Sequence, residues 1–166
     1  MDTAEKIIEL YGMEPLPFEG GYYVETYRTD AKVQKANLPP GYPSARNFCS
    51  EILYLLTADT CSRLHRVRSD EIFHFYLGDS VKILNLFADG TKRVINLGPN
   101  ILNDQQIQII VPKGTWQGAL IEEPGKFALM GCTVAPAFDF EDFQMADRQQ
   151  ILDQYPNEHE LIEKLV

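Results

Sequence analysis

The 166-residue sequence is poor in cysteine, in basic residues and in long apolar runs. Its three cysteines (Cys49, Cys61 and Cys132) form no C-x-x-C pair, and this odd, scattered set argues against a disulfide scaffold. Fifteen basic residues against 24 acidic ones give a net charge of −9, which disfavours general binding to nucleic acid or to anionic membranes. No apolar run approaches the roughly 18 residues that a membrane-spanning helix needs. Residues 1–10 lack the apolar core of a secretory signal, so we expect a soluble, cytoplasmic protein.

Short apolar segments separated by turn residues fill most of the chain. We predict strands at residues 20–28, 50–56, 72–77, 81–87, 92–97, 106–111, 118–122 and 128–136. The Asp89-Gly90 pair between two of these segments is a strong hairpin signal. Helical spacing of apolar residues is confined to 3–11, 146–155 and 158–165. The sequence therefore predicts an all-β barrel or sandwich, with short helices near both ends, in one domain that spans residues 1–166.

The residues with most chemical potential lie in segment 61–78, CSRLHRVRSDEIFHFYLG. We expect a strand, a tight turn and a returning strand here, with His65, Glu71 and His74 pointing into the barrel together with Gln117. Glu71 and His74 have opposite parity, so a regular strand without a bulge would place them on opposite faces. We include His74 because a histidine in the apolar run IFHFYL is buried or lines a cavity. A histidine that is satisfied within the core is the alternative.

The spacing of these residues is similar to the two motifs of the cupin superfamily. In the first motif, G-x5-H-x-H-x3-4-E-x6-G, His65 matches the first histidine, Glu71 the glutamate and Gly78 the last glycine. The segment PKGTWQ at 112–117 resembles the second motif, with Gln117 at the position of its histidine. Val67 replaces the remaining histidine of the first motif.

Longer segments resemble one cupin family in particular. They are EGGYYVETYR at 19–28, HRVRSDEIFHFYLGD at 65–79, VPKGTWQ at 111–117 and GCTVAPAFDFEDFQMADR at 131–148. Together they look like the Cupin_5 family, DUF985. The resemblance implies an RmlC-like jelly-roll barrel and a homodimer, but no particular reaction. Pro17-Phe18 departs from the His-Pro that commonly precedes the Glu-Gly-Gly of this family.

The same resemblance bears on metal binding. Cupins that hold a metal use three histidines and a glutamate, whereas an amide oxygen is a weak ligand for first-row transition metals. We therefore expect no cofactor and no tightly bound metal. If a metal were bound, its ligands would be His65, Glu71, His74 and Gln117. The alternative, which we favour, is a polar cluster that binds an organic ligand.

The segment SRLHRV resembles the R-G-L-H-x-Q stretch of dTDP-sugar 3,5-epimerases, in which the histidine is the base. By this resemblance His65 is the candidate catalytic base, and a histidine bonded to Glu71 or Gln117 is the alternative. The leading prediction is a small-molecule-binding cupin for a sugar nucleotide or a similar phosphorylated metabolite, with epimerase or isomerase activity as its enzymatic form. A non-catalytic ligand-binding or sensor module and a weak metal-dependent enzyme are the rivals.

Several other residues are candidates for contact with the ligand. Trp116 beside Gln117 has a ring on which a planar group can stack, and Tyr22 and Tyr27 lie on one predicted strand. Arg28 and Arg63 carry guanidinium groups that suit a phosphate or carboxylate. Core packing, surface ion pairs and a solvated strand end are the respective alternatives.

Overall fold

The computed structural model describes residues 3–166. Its helices are α1 (Thr3–Tyr11), α2 (Arg148–Gln154) and α3 (His159–Glu163). Its strands are β1 (Glu14–Pro15), β2 (Tyr22–Arg28), β3 (Lys32–Val33), β4 (Arg46–Asn47), β5 (Ser50–Thr57), β6 (Cys61–Arg66), β7 (Asp70–Gly78), β8 (Val81–Leu86), β9 (Lys92–Leu97), β10 (Gln108–Val111), β11 (Trp116–Ile121), β12 (Phe127–Ala135) and β13 (Gln144–Met145). Short 3-10 turns lie at Lys35–Asn37, Ile101–Asn103, Phe140–Asp142 and Pro156–Glu158.

The strands form two main antiparallel sheets. The first has the order β1-β2-β5-β12-β7-β10 and the second the order β13-β6-β11-β8-β9, while β3 and β4 pair separately. Inward-facing apolar side chains of both sheets form one core, to which the first contributes Tyr54 and Met130 and the second Ile83 and Ala119. Two antiparallel sheets packed in this way form a jelly roll. The predicted all-β fold with short helices at both ends is confirmed.

The terminal helices cover the outer faces of the sheets. Ala4 and Ile7 of α1 pack on Leu55 and Leu129 of the first sheet. Helices α2 and α3 cover the second sheet with a buried cluster whose members are Leu64, Leu84, Leu86, Ile151, Leu152, Tyr155, Ile162 and Leu165. Within residues 3–166 no helix is long and apolar enough to cross a membrane.

The predicted hairpin at Asp89-Gly90 joins β8 to β9. The amide nitrogen of Phe87 donates to the Thr91 carbonyl oxygen at 2.9 Å. A carboxylate oxygen of Asp89 accepts from the backbone and the hydroxyl of Thr91. Gly90 adopts φ +86°, a region that glycine enters without strain. This hairpin prediction is confirmed.

A β-bulge in β6 changes which of its side chains point inward. Gln117 of β11 lies opposite His65, and Ala119 lies opposite Ser62, so two residues of β6 face a single residue of β11. Ser62 and His65 are three positions apart and would face opposite sides of a regular strand. The bulge at residues 63–64 brings both into the interior.

A second bulge has the same effect in β2. Glu25 lies opposite Ile52 and Tyr27 opposite Glu51, which leaves Thr26 as the extra residue. Glu25 and Arg28, again three positions apart, therefore both face inward.

Candidate functional site

Three of the four residues predicted to form the pocket meet inside the fold. The side-chain amide nitrogen of Gln117 donates to the Oε2 atom of Glu71. His65 lies directly opposite Gln117 on the neighbouring strand. Exposed fractions are 2% for His65, 5% for Glu71 and 2% for Gln117. We call these three residues, with Glu19 described next, the interior polar cluster.

Glu19, which the sequence reasoning did not single out, completes this cluster. Its Oε2 atom lies 3.7 Å from Nε2 of His65, and its Oε1 atom accepts from the Ser62 hydroxyl at 2.7 Å. The turn at Gly20-Gly21 makes this placement possible, since a Cβ on Gly20 would lie 2.4 Å from the Cys61 carbonyl oxygen. The Glu-Gly-Gly sequence was the available signal, because paired glycines permit such a close approach of two backbones.

Contacts at both ring nitrogens and at the ring face hold His65 in one orientation. Its Nδ1 atom lies 2.6 Å from the Arg63 carbonyl oxygen. Since a carbonyl oxygen only accepts, Nδ1 carries a hydrogen, and Nε2 faces Glu19. The ring stacks on Phe143 with centroids 5.1 Å apart.

The carboxyl group of Glu71 changes its charge near neutral pH. Burial raises the pKa of Glu71 from 4.5 to about 7, and nearby Glu19 adds to the rise. His65 and the thiol of Cys132, 3.6 Å from Oε1, oppose it. Burial, followed by the charge of Glu71, raises the pKa of the Cys132 thiol well above its ordinary value. Glu71 is thus a proton donor or acceptor suited to neutral solution.

A cavity of about 250 Å³ reaches this cluster from the inward face of the first sheet. Its lining residues are Leu16, Glu19, Tyr23, Glu25, Arg28, Ser50, Ile52, Tyr54, Glu71, Phe73, Cys132, Val134, Phe138, Asp139 and Phe140. Glu19 and Glu71 therefore face the cavity directly. His65 and Gln117 do not line it but contact these two carboxyl groups.

Residues 137–145, which we call the rim segment, form one wall of the cavity. The amide nitrogen of Phe138 donates to the Ser50 hydroxyl at 3.0 Å, and its carbonyl oxygen accepts from Arg28 at 3.1 Å. The guanidinium of Arg28 also contacts both carboxylate oxygens of Glu25, at 3.1 Å and 2.7 Å. Arg28 lines the cavity as predicted, but its charge is already matched by Glu25.

His74 does not join the pocket, so that part of the prediction is wrong. Its Nε2 atom lies 3.1 Å from the Thr133 hydroxyl, and its ring stacks on Tyr76 with centroids 6.4 Å apart. Strand β7 is regular between Glu71 and His74, and alternation therefore points His74 outward. For the same reason His74 cannot share a metal with Glu71.

The predicted aromatic contacts and Arg63 also lie away from the cavity. Trp116 faces the C-terminal helices, with the Arg66 guanidinium 4.4 Å above its ring. Tyr22 packs beside α1, Tyr27 is 56% exposed and Arg63 is exposed. Strand alternation accounts for Trp116, whose neighbour Gln117 points inward. Alternation together with the bulge at Thr26 accounts for the outward Tyr22 and Tyr27 of β2.

Other rings line the cavity instead. Tyr23, between the outward tyrosines, points inward with Tyr54, and Phe73 shares the inward face of β7 with Glu71. Phe73 lies two positions after Glu71 on the same strand, so the sequence could have predicted that both point inward. Phe138 and Phe140 reach the cavity only because the rim segment docks on β5, which no local pattern announces.

The interior polar cluster does not fit a metal ion held, as the cupin motifs require, by three histidines and a glutamate. Val67 is buried and offers no ligand atom. Gln117 turns its amide nitrogen, a donor, toward Glu71. Nowhere in the described chain, residues 3–166, do three or more His, Cys, Asp or Glu side chains group so as to hold a metal ion.

The Cupin_5 family model, described as cupin superfamily (DUF985), matches residues 5–146. The chain belongs to the Cupin_5 family. This Cupin_5 protein is similar in structure to a hypothetical protein from Leishmania major, at 27% identity over 99% of both chains with a TM-score of 0.88. A Shewanella oneidensis protein solved by X-ray crystallography is 30% identical over 99% of this chain and 98% of that one, with a TM-score of 0.85.

A more distant likeness shows the fold alone. A cupin 2 conserved barrel domain protein from Rhodopseudomonas palustris is 14% identical over 91% of this chain and 82% of that one, with a TM-score of 0.56. No curated protein matches the chain.

Proposed function

We propose that this Cupin_5 protein binds a small organic molecule in the cavity beside the interior polar cluster. The observation that supports the proposal is the lining itself, in which apolar and aromatic side chains surround two buried carboxyl groups, Glu19 and Glu71. Pockets of this kind hold small ligands, with the apolar part supplying binding energy and a few polar groups fixing orientation.

The charges around the cavity do not favour a sugar nucleotide or another phosphorylated ligand. Arg28 is engaged by Glu25, and Arg63 does not line the cavity. Arg66 lies over Trp116, while Arg68 pairs with Asp142 at 3.4 Å. A phosphate would meet carboxylates there rather than a free cation.

A leucine in the cavity wall permits a direct test. Leu16 is half-buried, and we expect Leu16→Trp to fill the cavity. A compound present at 100 times its Kd stabilises a protein by about 2.7 kcal/mol, so a library screen by thermal shift detects binders. Compounds that stabilise the wild type are expected to lose that effect in Leu16→Trp.

The matched control is Leu102→Trp, the same change at a leucine that is 92% exposed and outside the cavity. This variant should keep every stabilisation, and circular dichroism should show both variants folded. Equal stabilisation of Leu16→Trp and the wild type would refute binding in this cavity. A screen that finds no stabiliser of the wild type would also count against the proposal.

Proton transfer on the bound molecule is a second candidate function. Glu71 faces the cavity, and its pKa of about 7 lets it both accept and donate a proton at neutral pH. His65 lies behind the carboxyl groups, so we assign Glu71, rather than His65, to the role of base. An isomerase would exchange the proton next to a substrate carbonyl with solvent deuterium, and Glu71→Gln would abolish that exchange.

A further inference from the structure

The cavity wall is strongly unbalanced in charge. Four carboxyl groups line it, and Arg28 is the only cationic side chain among the described residues that do so. Arg28 contacts both oxygens of Glu25 and thereby cancels that one carboxylate. Asp139 also interacts with the charge of Arg28, while Glu19 and Glu71 have no cation on the wall, since His65 lies behind them. The carboxyl groups therefore outnumber the cations, which favours a negative potential inside the cavity.

Aromatic rings line the same space. Tyr23, Tyr54 and Phe73 come from the sheet, and Phe138 and Phe140 come from the rim segment. Phe138 and Phe140 meet at 80° with centroids 5.1 Å apart, and so form a corner. The face of such a ring attracts a cation, and aromatic cages bind ammonium groups in this way.

A third observation shows an unmet polar group in the same interior. Asn85 is 1% exposed, and neither its Oδ1 nor its Nδ2 atom bonds to any of residues 3–166. It lies opposite Gln117, so its side chain shares the inward face with the interior polar cluster. A buried amide without partners is costly. Asn85 does not line the cavity, so an ordered water in the interior, rather than the ligand itself, would satisfy it.

From the charge and the aromatic rings of the cavity wall we propose that the ligand is a small organic cation, an ammonium group carried on an apolar or aromatic body. The carboxyl groups of Glu19 and Glu71 bind the ammonium group, and the apolar part of the ligand packs against the aromatic rings of the cavity wall. The inference rests on the proposed function of the cavity and specifies its ligand class.

Three probes of nearly equal size but different charge test the inference: the cation benzylammonium, the neutral benzyl alcohol and the anion benzoate. Their affinities for the full-length protein are to be measured by calorimetry at neutral pH. We expect benzylammonium to bind at least about tenfold more tightly than benzyl alcohol, which is about 1.4 kcal/mol. Benzoate is expected to bind least well.

Two variants locate the charge that matters. Glu19→Gln removes one carboxylate from the wall and should reduce the preference for benzylammonium over benzyl alcohol at least about threefold. Glu9→Gln is the control, because Glu9 is an exposed residue of α1, which covers the outer face of the first sheet, outside the cavity. This control should leave all three affinities unchanged.

The outcomes separate this inference from the proposed function. If benzyl alcohol or benzoate binds as tightly as benzylammonium, and Leu16→Trp blocks that binding, the cavity binds ligands but the cationic class is wrong. If none of the three probes binds at millimolar concentration, the cationic class is also wrong. The library screen with Leu16→Trp then decides on its own whether the cavity binds anything. A preference that Glu19→Gln leaves intact would likewise overturn the inference.

Discussion

At the scale of single residues, Glu71 combines burial with an ionisable group. Its pKa is about 7 in the folded protein and 4.5 in the unfolded chain. Below pH 4.5 the carboxyl group is protonated in both states, so its titration does not change the stability of the folded state. As the pH rises toward 7 the unfolded chain ionises first, so the folded state loses stability, by about 3 kcal/mol once the pH exceeds 7.

This loss of stability with rising pH gives a prediction for Glu71→Gln, which removes the ionisable group but keeps the size and shape of the side chain. The free energy of unfolding of the variant, relative to the wild type, should increase between about pH 5 and pH 8. Urea denaturation at both pH values measures it, with the exposed Glu9→Gln as the control. An unchanged difference at the two pH values would show that Glu71 is ionised throughout.

The same titration affects cation binding. Three ionisable groups face Glu71: His65 of β6, Glu19 of the turn before β2, and Cys132 of β12. Because Glu71 gains negative charge as the pH passes about 7, benzylammonium should bind more tightly at about pH 8 than at pH 6. In Glu71→Gln this rise should be much smaller.

Motif spacing predicted part of the site at this scale. His65, Glu71 and Gln117 were found because each lies at a fixed distance from a neighbouring motif residue, and strand parity warned against His74. Glu19 and Cys132 were missed because their contacts with the cluster span 46 and 61 positions of the chain. Contacts over such distances arise from sheet packing, and the Glu-Gly-Gly sequence indicated only a close approach of two backbones, not the partner of Glu19.

At the scale of elements, the rim segment depends on one buried ion pair. Arg46 of β4 contacts both oxygens of Asp142, at 2.6 Å and 3.0 Å. Both residues are buried, at 3% and 6% exposure. A buried charge left wholly unpaired costs about 3–5 kcal/mol. Without Arg46, the buried Asp142 carboxylate keeps only the half-exposed Arg68, 3.4 Å away, so most of that cost applies.

We therefore expect Arg46→Met to lower the free energy of unfolding by about that amount. The double variant Arg46→Met with Asp142→Leu should recover most of the loss, since the charges that then lose a partner, Arg68 and Glu141, are exposed to solvent. Chemical denaturation of the wild type, the single variant and the double variant measures both effects. A double variant no more stable than the single one would mean that the pair acts through shape rather than charge.

The limits of the sequence prediction at this scale come from the bulges. The strands that line the interior were largely predicted, but the inward residues of β2 were not. Tyr22 and Tyr27 have opposite parity, so unbroken alternation would point one of them inward, whereas the bulge turns both outward and Tyr23 lines the cavity. The extra residue, Thr26, has no distinguishing sequence signal.

At the scale of the whole molecule, the homodimer implied by the family resemblance stays a prediction. The outer face of β7 and β10 exposes apolar side chains, including Tyr76 at 50% and Ile110 at 57%. Exposed apolar patches of this kind mark interfaces. We expect light scattering to give twice the mass of the chain.

A charge on this face tests where the two copies meet. Ile110→Glu should yield monomers, because an unpaired carboxylate in an apolar interface is costly. Leu102→Glu places the same charge on a residue that is 92% exposed outside that face and should leave the dimer intact. A dimer that survives Ile110→Glu would place the interface elsewhere.

The bulge at residues 63–64 makes chain length as important as residue identity. Insertion of one residue into β11 opposite the bulge would restore regular pairing, and Ser62, three positions before His65, would then turn outward while His65 stayed opposite Gln117. Glu19 would then lose its hydrogen bond from the Ser62 hydroxyl. A single-residue gap in an alignment of β11 therefore exchanges inside for outside in β6. Relatives that differ only by such a gap would carry a different site in the same barrel.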